Sequence, residues 1–171
     1  MPEQKMKAAV FFITGTSGSG KSTLVKLLKK ELPLVEVHDF DEGGVPEGAD
    51  EKWRRKRTEK WVKKARIYRQ TGKSTVICGV SVPAEVRGSS AYDRSLNVNF
   101  GFIHVNEGEI RRRLASRGWG RLRIQDNINW AKHLEKCVKA EKNHIILSGE
   151  KNPPKRLTEK FVEWIYTVLP R

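Results

Sequence analysis

The chain is poor in cysteine, in acidic residues and in long apolar runs. Only Cys78 and Cys137 occur in 171 residues. Their spacing makes neither a disulfide framework nor a zinc site, so the expected compartment is a reducing cytoplasm. No run approaches the roughly 18 apolar residues that a membrane span requires. The opening "MPEQKMKAAVFFITG" passes from its apolar stretch into glycine and serine rather than a cleavage site, and reads as a first core strand, not a leader. Repeats, low-complexity tracts and linkers are missing too, so one domain over residues 1–171 is expected. Acids are scarce: 20 Asp+Glu face 34 Lys+Arg, a net charge of +14. An ion-pair network for heat stability needs both signs in similar number. This excess instead favours polyanionic ligands, that is nucleotides, phosphorylated metabolites or nucleic acid.

Short apolar runs alternate with helical patterns. "KAAVFFIT" (7–14) is continuously apolar, as a strand covered on both faces must be. Ser22–Leu32 follows with leucines at helical spacing, and "LVEVHDF" (34–40) is a second strand. Ala49–Gln70 places Trp53, Trp61, Ala65 and Tyr68 on one helical face, which assigns them to the core, under a strongly basic outer face. Further strands are expected at Ser74–Val80, Asn97–Val105 and Asn143–Gly149, with helices at Glu107–Arg117, Gln125–Ala140 and Lys155–Val168. This alternation predicts an α/β fold: a parallel sheet with helices on both faces, and ligands beyond the carboxyl ends of the strands.

"GTSGSGKS" (Gly15–Ser22) fits the phosphate-loop pattern G-x-x-x-x-G-K-[ST], between a buried strand and a helix. In that pattern Gly15, Thr16, Ser17, Gly18, Ser19 and Gly20 turn backbone N–H groups toward phosphates, and Thr23 extends the cradle into the helix. Lys21 adds positive charge, Ser22 offers a hydroxyl to Mg²⁺, and the helix N-terminus favours the anion. Chance alone supplies such a pattern on the order of once in a hundred chains of this length. A nucleotide, with Mg²⁺ at the Ser22 hydroxyl, is the expected ligand.

With that loop, the sequence resembles the P-loop kinases of small molecules, which include nucleoside monophosphate, shikimate and gluconate kinases and chloramphenicol phosphotransferase. It is most similar to a branch marked by "HDFDE-G-VP-AD--W" after the first helix. The resemblance implies a three-layer fold with five parallel strands in the order 2-3-1-4-5, Mg²⁺·ATP, and an arginine-bearing lid, here around residues 118–124. It implies phosphoryl transfer to a hydroxyl or phosphate of a small acceptor: a nucleoside, nucleotide or metabolite.

Asp39 and Asp41 share strand parity, and if the strand persists both carboxylates face one way, about 7 Å apart. The alternative is that Asp41 merely caps the turn before Gly43. By resemblance, Asp39 faces the metal, with Ser22, and Asp41 faces the acceptor. "IRRRLASRGWGRLR" carries six arginines and no acid. Arg113 and Arg117 are four apart on one helical face and are the candidates to stabilise the transferring group. The third strand ends in "CGVSVP" with no acid before Glu85, which shifts metal contact toward Asp39. Asn152 and Pro153 follow the last strand, where the resembling kinases pack a loop against adenine. Two other readings stand beside a small-molecule kinase. A polynucleotide 5′-kinase, or another nucleic-acid enzyme, is motivated by the +14 charge. A nucleotide-binding or slow ATPase module would have no acceptor at all.

Overall fold

A computed structural model describes residues 7–169. Its strands are β1 (Val10–Thr14), β2 (Glu36–Asp39), β3 (Thr75–Cys78), β4 (Val98–His104) and β5 (His144–Ser148). All pair in parallel in the order β2-β3-β1-β4-β5. Between them run helices α1 (Lys21–Glu31), α2 (Glu51–Gln70), α3 (Pro83–Arg87), α4 (Glu107–Ser116), α5 (Arg121–Lys139) and α6 (Pro154–Val168). This is the expected three-layer sheet and order.

β1 shows why the strands are continuously apolar. Phe11 and Ile13 enter one core with Leu24 and Leu28 of α1 and Phe161 and Ile165 of α6. Val10 and Phe12 enter the opposite core with Trp61 and Ala65 of α2 and Leu134 and Val138 of α5. Period-two alternation therefore buries every position of a central strand whose two faces are both covered. Trp61 is 1% exposed, and its indole N–H donates to the Phe40 carbonyl at 3.0 Å. It belongs to the core; Trp53 is only half-buried.

The structure departs from the sequence reading in three places. β2 ends at Asp39, so Asp41 does not continue its parity. The cause is local: an Asp39 carboxylate oxygen accepts from the Asp41 backbone N–H at 2.9 Å and curls the chain into a turn. Helix α5 begins at Arg121, four residues earlier than Gln125, because Gly120 enters it in an extended conformation and Ile124 already faces the core. Residues 121–124 of the expected lid are thus a helical turn, and the α4–α5 connection is Arg117–Gly120. Finally, "PAEVR" (Pro83–Arg87) forms the short helix α3, an element absent from the helices expected above.

Gly79, just past β3, is held to glycine by close approach. A Cβ there would meet Phe40 Cβ at 2.0 Å, and Phe40 separates the two aspartates. Gly79→Ala is expected to cost about 1–3 kcal/mol of stability, as overpacking does, and to displace the β2 turn. Urea unfolding measures the first effect and proton NMR of the Trp61 indole the second.

Candidate active site

The phosphate loop lies at the carboxyl end of β1, with Gly18 and Gly20 at φ of 84° and 96°, a region that excludes most other residues. The loop turns back on itself through Ser19 N–H to Thr16 O at 3.2 Å. Lys21 Nζ donates to Thr16 O at 2.7 Å and reaches Ser19 Oγ at 3.4 Å. Its ammonium is enclosed by the protein, and burial lowers the Lys21 pKa to about 8. The charges of Asp41 and Asp39 oppose that shift and Arg117 adds to it. Lys21, both aspartates and Arg117 therefore act on one point in the molecule.

A lysine whose pKa is lower folded than unfolded carries its charge at a cost. Between about 8 and the ordinary 10.5 the unfolded chain binds more protons, so stability must rise with pH across that window. Thermal melts of the ligand-free protein should show the rise, and Lys21→Met should flatten it.

The two aspartates differ. Asp39 keeps one carboxylate oxygen on the Asp41 backbone N–H. Asp41 makes no ion pair or side-chain hydrogen bond among the described residues. The residue opens to solvent, yet enough protein surrounds its carboxyl that desolvation raises its pKa. Asp39 raises it further, and Lys21 and Arg57 pull it back. Arg57 also secures this turn, donating to Phe40 O at 2.9 Å and to the Glu42 carbonyl. Glu85, the first acid beyond β3, is taken by a two-pronged pair with Arg54 at 3.0 and 2.7 Å. Burial pushes the Cys78 thiol up, leaving it un-ionised beside Asp39.

On the other side of the loop is a cavity of about 550 Å³. Gly18, Ser19, Gly20 and Thr23 form one wall, Arg113 and Arg117 a second, and Asn152 and Pro153 a third. The sequence candidates from distant segments are thus brought together. Their states are unequal. Arg113 is already occupied, donating to Glu109 at 2.7 Å and to the Gly18 carbonyl at 2.8 Å. Arg112 is also tied to Glu109, Arg111 contacts Gln125, and Arg123 lies 3.6 Å over the Trp119 ring. Arg117 is exposed and makes no side-chain hydrogen bond or ion pair among the described residues. Asn152 Nδ2 donates to Ser148 O at 2.7 Å, which fixes the loop over the cavity.

Asn127 is a site residue that motif reading missed. From the second turn of α5 its Nδ2 donates to Thr16 Oγ1 at 3.3 Å and to Ser17 O at 3.2 Å. With Arg113 on Gly18 O, it holds two successive carbonyls of the loop, Ser17 and Gly18, in place. No local pattern links positions more than a hundred residues apart.

Among the described residues no cluster of three His, Cys, Asp or Glu side chains forms a metal cage. The donor set instead fits Mg²⁺, which takes one or two protein oxygens and completes its shell with water and phosphate. The Ser22 hydroxyl, exposed at the start of α1, and the free Asp39 oxygen are donors of that kind.

A family model described as an AAA domain matches residues 12–130, from β1 into α5. The chain belongs to that family. No curated protein matches this AAA-domain chain in sequence. Solved structures match it in shape. An unliganded sugar kinase from Janibacter sp. HTCC2649 is 18% identical with a TM-score of 0.68, over 96% of this chain and 99% of that one. Shikimate kinase from Acinetobacter baumannii in complex with shikimate is 16% identical, TM-score 0.62, over 95% of each chain. The Mycobacterium tuberculosis APS kinase in complex with AMPPNP and APS is 16% identical, TM-score 0.63, over 94% of this chain and 99% of that one. The fold is that of the P-loop small-molecule kinases. No described helix is long and apolar enough to cross a membrane.

Proposed function

We propose that this protein is an ATP-dependent phosphotransferase that moves the γ-phosphoryl group to a hydroxyl or phosphate of a small acceptor. The observation that carries the reading is Asp41: a carboxylate with no structural partner, its pKa raised, within electrostatic reach of the phosphate-loop lysine. A module that only binds nucleotide has no use for such a base. The APS kinase of similar fold, solved with AMPPNP and APS, supports a nucleotide and an acceptor meeting in one molecule of this shape.

In this reading the nucleotide phosphates lie on Gly15–Thr23, with its base toward Asn152 and Pro153 in the 550 Å³ cavity. Ser22 and Asp39 hold Mg²⁺, which supplies charge neutralisation at the phosphate oxygens. Asp41 accepts the proton of the acceptor hydroxyl as its oxygen bonds to the γ-phosphorus. The bond from that phosphorus to the bridging oxygen breaks, and ADP leaves. Lys21 and Arg117 face the charge as it shifts; the latter has no side-chain contact among the described residues to give up, whereas Arg113 would first have to leave Glu109 and Gly18. Arg113 serves here by holding the loop, and turns to phosphate only if those contacts break.

Polyphosphate beside Lys21 restores its charged form, so nucleotide binding near pH 8 must take up protons. An uptake of about half a proton is expected at that pH, falling toward zero at pH 6. Calorimetry in buffers of different ionisation enthalpy reads it directly; no dependence on buffer would mean that Lys21 does not meet the phosphates. The reading itself is tested by ADP release with Mg²⁺·ATP over nucleosides, nucleotides, sugar acids and antibiotics. One class should accelerate release by orders of magnitude. A uniformly slow rate across the panel would favour the ATPase module.

A further inference from the structure

The positive charge of this protein is concentrated on one helix. In Glu51–Gln70 ten Lys and Arg face Glu51 and Glu59, a net +8 of the chain's +14. Four of those bases serve the fold: Arg54 pairs with Glu85, Arg57 holds the β2 turn, Lys64 lies over Trp61, and Arg69 binds Ser95. The other six, Lys52, Arg55, Lys56, Lys60, Lys63 and Arg66, are exposed. At 100° per residue they fall within one stripe, about 21 Å long from Lys52 to Arg66. Arg55 and Lys63 have i,i+4 acids in Glu51 and Glu59. Lys52, Lys56 and Lys60 have no ion pair among the described residues and stand four apart, an arrangement that destabilises a bare helix. Elsewhere the net charge is +6 over the rest of the chain, and several surface bases are paired with acids: Arg112 with Glu109, Lys132 with Glu107, Lys139 with Glu135, Arg156 with Glu159.

We infer that the outer face of α2 is a docking surface for a single strand of nucleic acid, held by its phosphates. Within the stripe Lys52, Lys56 and Lys60 recur about once per helical turn, which suits a polymer with one anion per repeat. Half-buried Trp53 at its N-terminal end, with Arg57 5.5 Å over the ring, offers an aromatic edge beside the basic track. A lipid surface fits less well, because Ile67 is the one large apolar residue of this helix that is strongly exposed. The inference is independent of phosphoryl transfer, since binding needs neither ATP nor Asp41.

The test is fluorescence anisotropy with a labelled dT12 strand and the full chain, without nucleotide. Six phosphate contacts on a single strand give a log–log salt slope of about −4, an affinity loss of about 300-fold from 50 to 200 mM salt. Lys52→Glu, Lys56→Glu and Lys60→Glu together should lower the slope by about 2 and the affinity on the order of 100-fold at 0.1 M salt. The control triple Lys26→Glu, Lys29→Glu and Lys30→Glu on the exposed face of α1 removes the same net charge, three reversals of two units each. It should bind as the parent does. Equal weakening by both triples would reduce the effect to net charge and overturn the inference. So would a polyglutamate of matched charge competing as well as unlabelled strand, or anionic vesicles captured more strongly than the oligonucleotide. Unchanged Mg²⁺·ATP binding by both triples confirms that each is folded.

Discussion

Lys21→Ala should abolish phosphoryl transfer, by a factor of 10³ or more, while leaving the protein as stable as before or more so. The two halves of this expectation come from one fact. Lys21 is an enclosed cation whose pKa is lowered to about 8, so the ligand-free fold carries it at a cost. Its ammonium holds Thr16 O and Ser19 Oγ, contacts within the loop that no core residue depends on. Circular dichroism melts should therefore show no loss of melting temperature without nucleotide. The rise on adding Mg²⁺·ATP that is expected of the parent should vanish. Lys21→Arg does not rescue, because the larger planar head does not fit a site built around a point charge.

Asp41→Asn should lower turnover by about 10²–10⁴, the usual contribution of a general base, with little change in nucleotide affinity. Asp39→Asn should do the reverse of this split: weaker Mg²⁺·nucleotide binding and a higher Mg²⁺ concentration for half-maximal rate, because its carboxylate is the one assigned to the metal. The pH profile separates the roles. Desolvation and the neighbouring Asp39 raise the Asp41 pKa, and a base must be ionised to act. Parent kcat/KM should consequently fall as pH drops through that raised value, and the acid limb should be absent in Asp41→Asn. An acid limb that survives the substitution unchanged would assign the proton transfer to another group. Asp41→Asn should also shift the Lys21 pKa down, because Asp41 is the largest of the charges that hold it up.

What the sequence made legible follows from locality. The phosphate loop is eight consecutive residues, and β1 announces itself because both of its faces are buried. The strand order came through resemblance and the structure has it unchanged. The Asp39–Asp41 pair was visible, but not its geometry: strand parity placed both on one face, and an Asp39 side-chain hydrogen bond to the Asp41 backbone ends the strand between them. Shared helical face singles out Arg113 and Arg117 but does not tell the two apart. Glu109, at i−4 from Arg113 and i−3 from Arg112, was in plain view and would have separated those two from Arg117. The early start of α5 had a signal as well, in Ile124 and Ile128 spaced for a buried helical face. Asn127 had none, since its partners lie in another part of the chain and only the fold brings them within 3.3 Å.

The fate of the γ-phosphorus tests the central claim most directly. With [γ-³²P]ATP, Mg²⁺ and the acceptor class that accelerates ADP release, the label should appear in an organic phosphate ester or anhydride, one equivalent for each ADP formed. Asp41→Asn should suppress that product. Label recovered only as inorganic phosphate, at a rate indifferent to Asp41, would contradict a phosphotransferase and leave an ATPase.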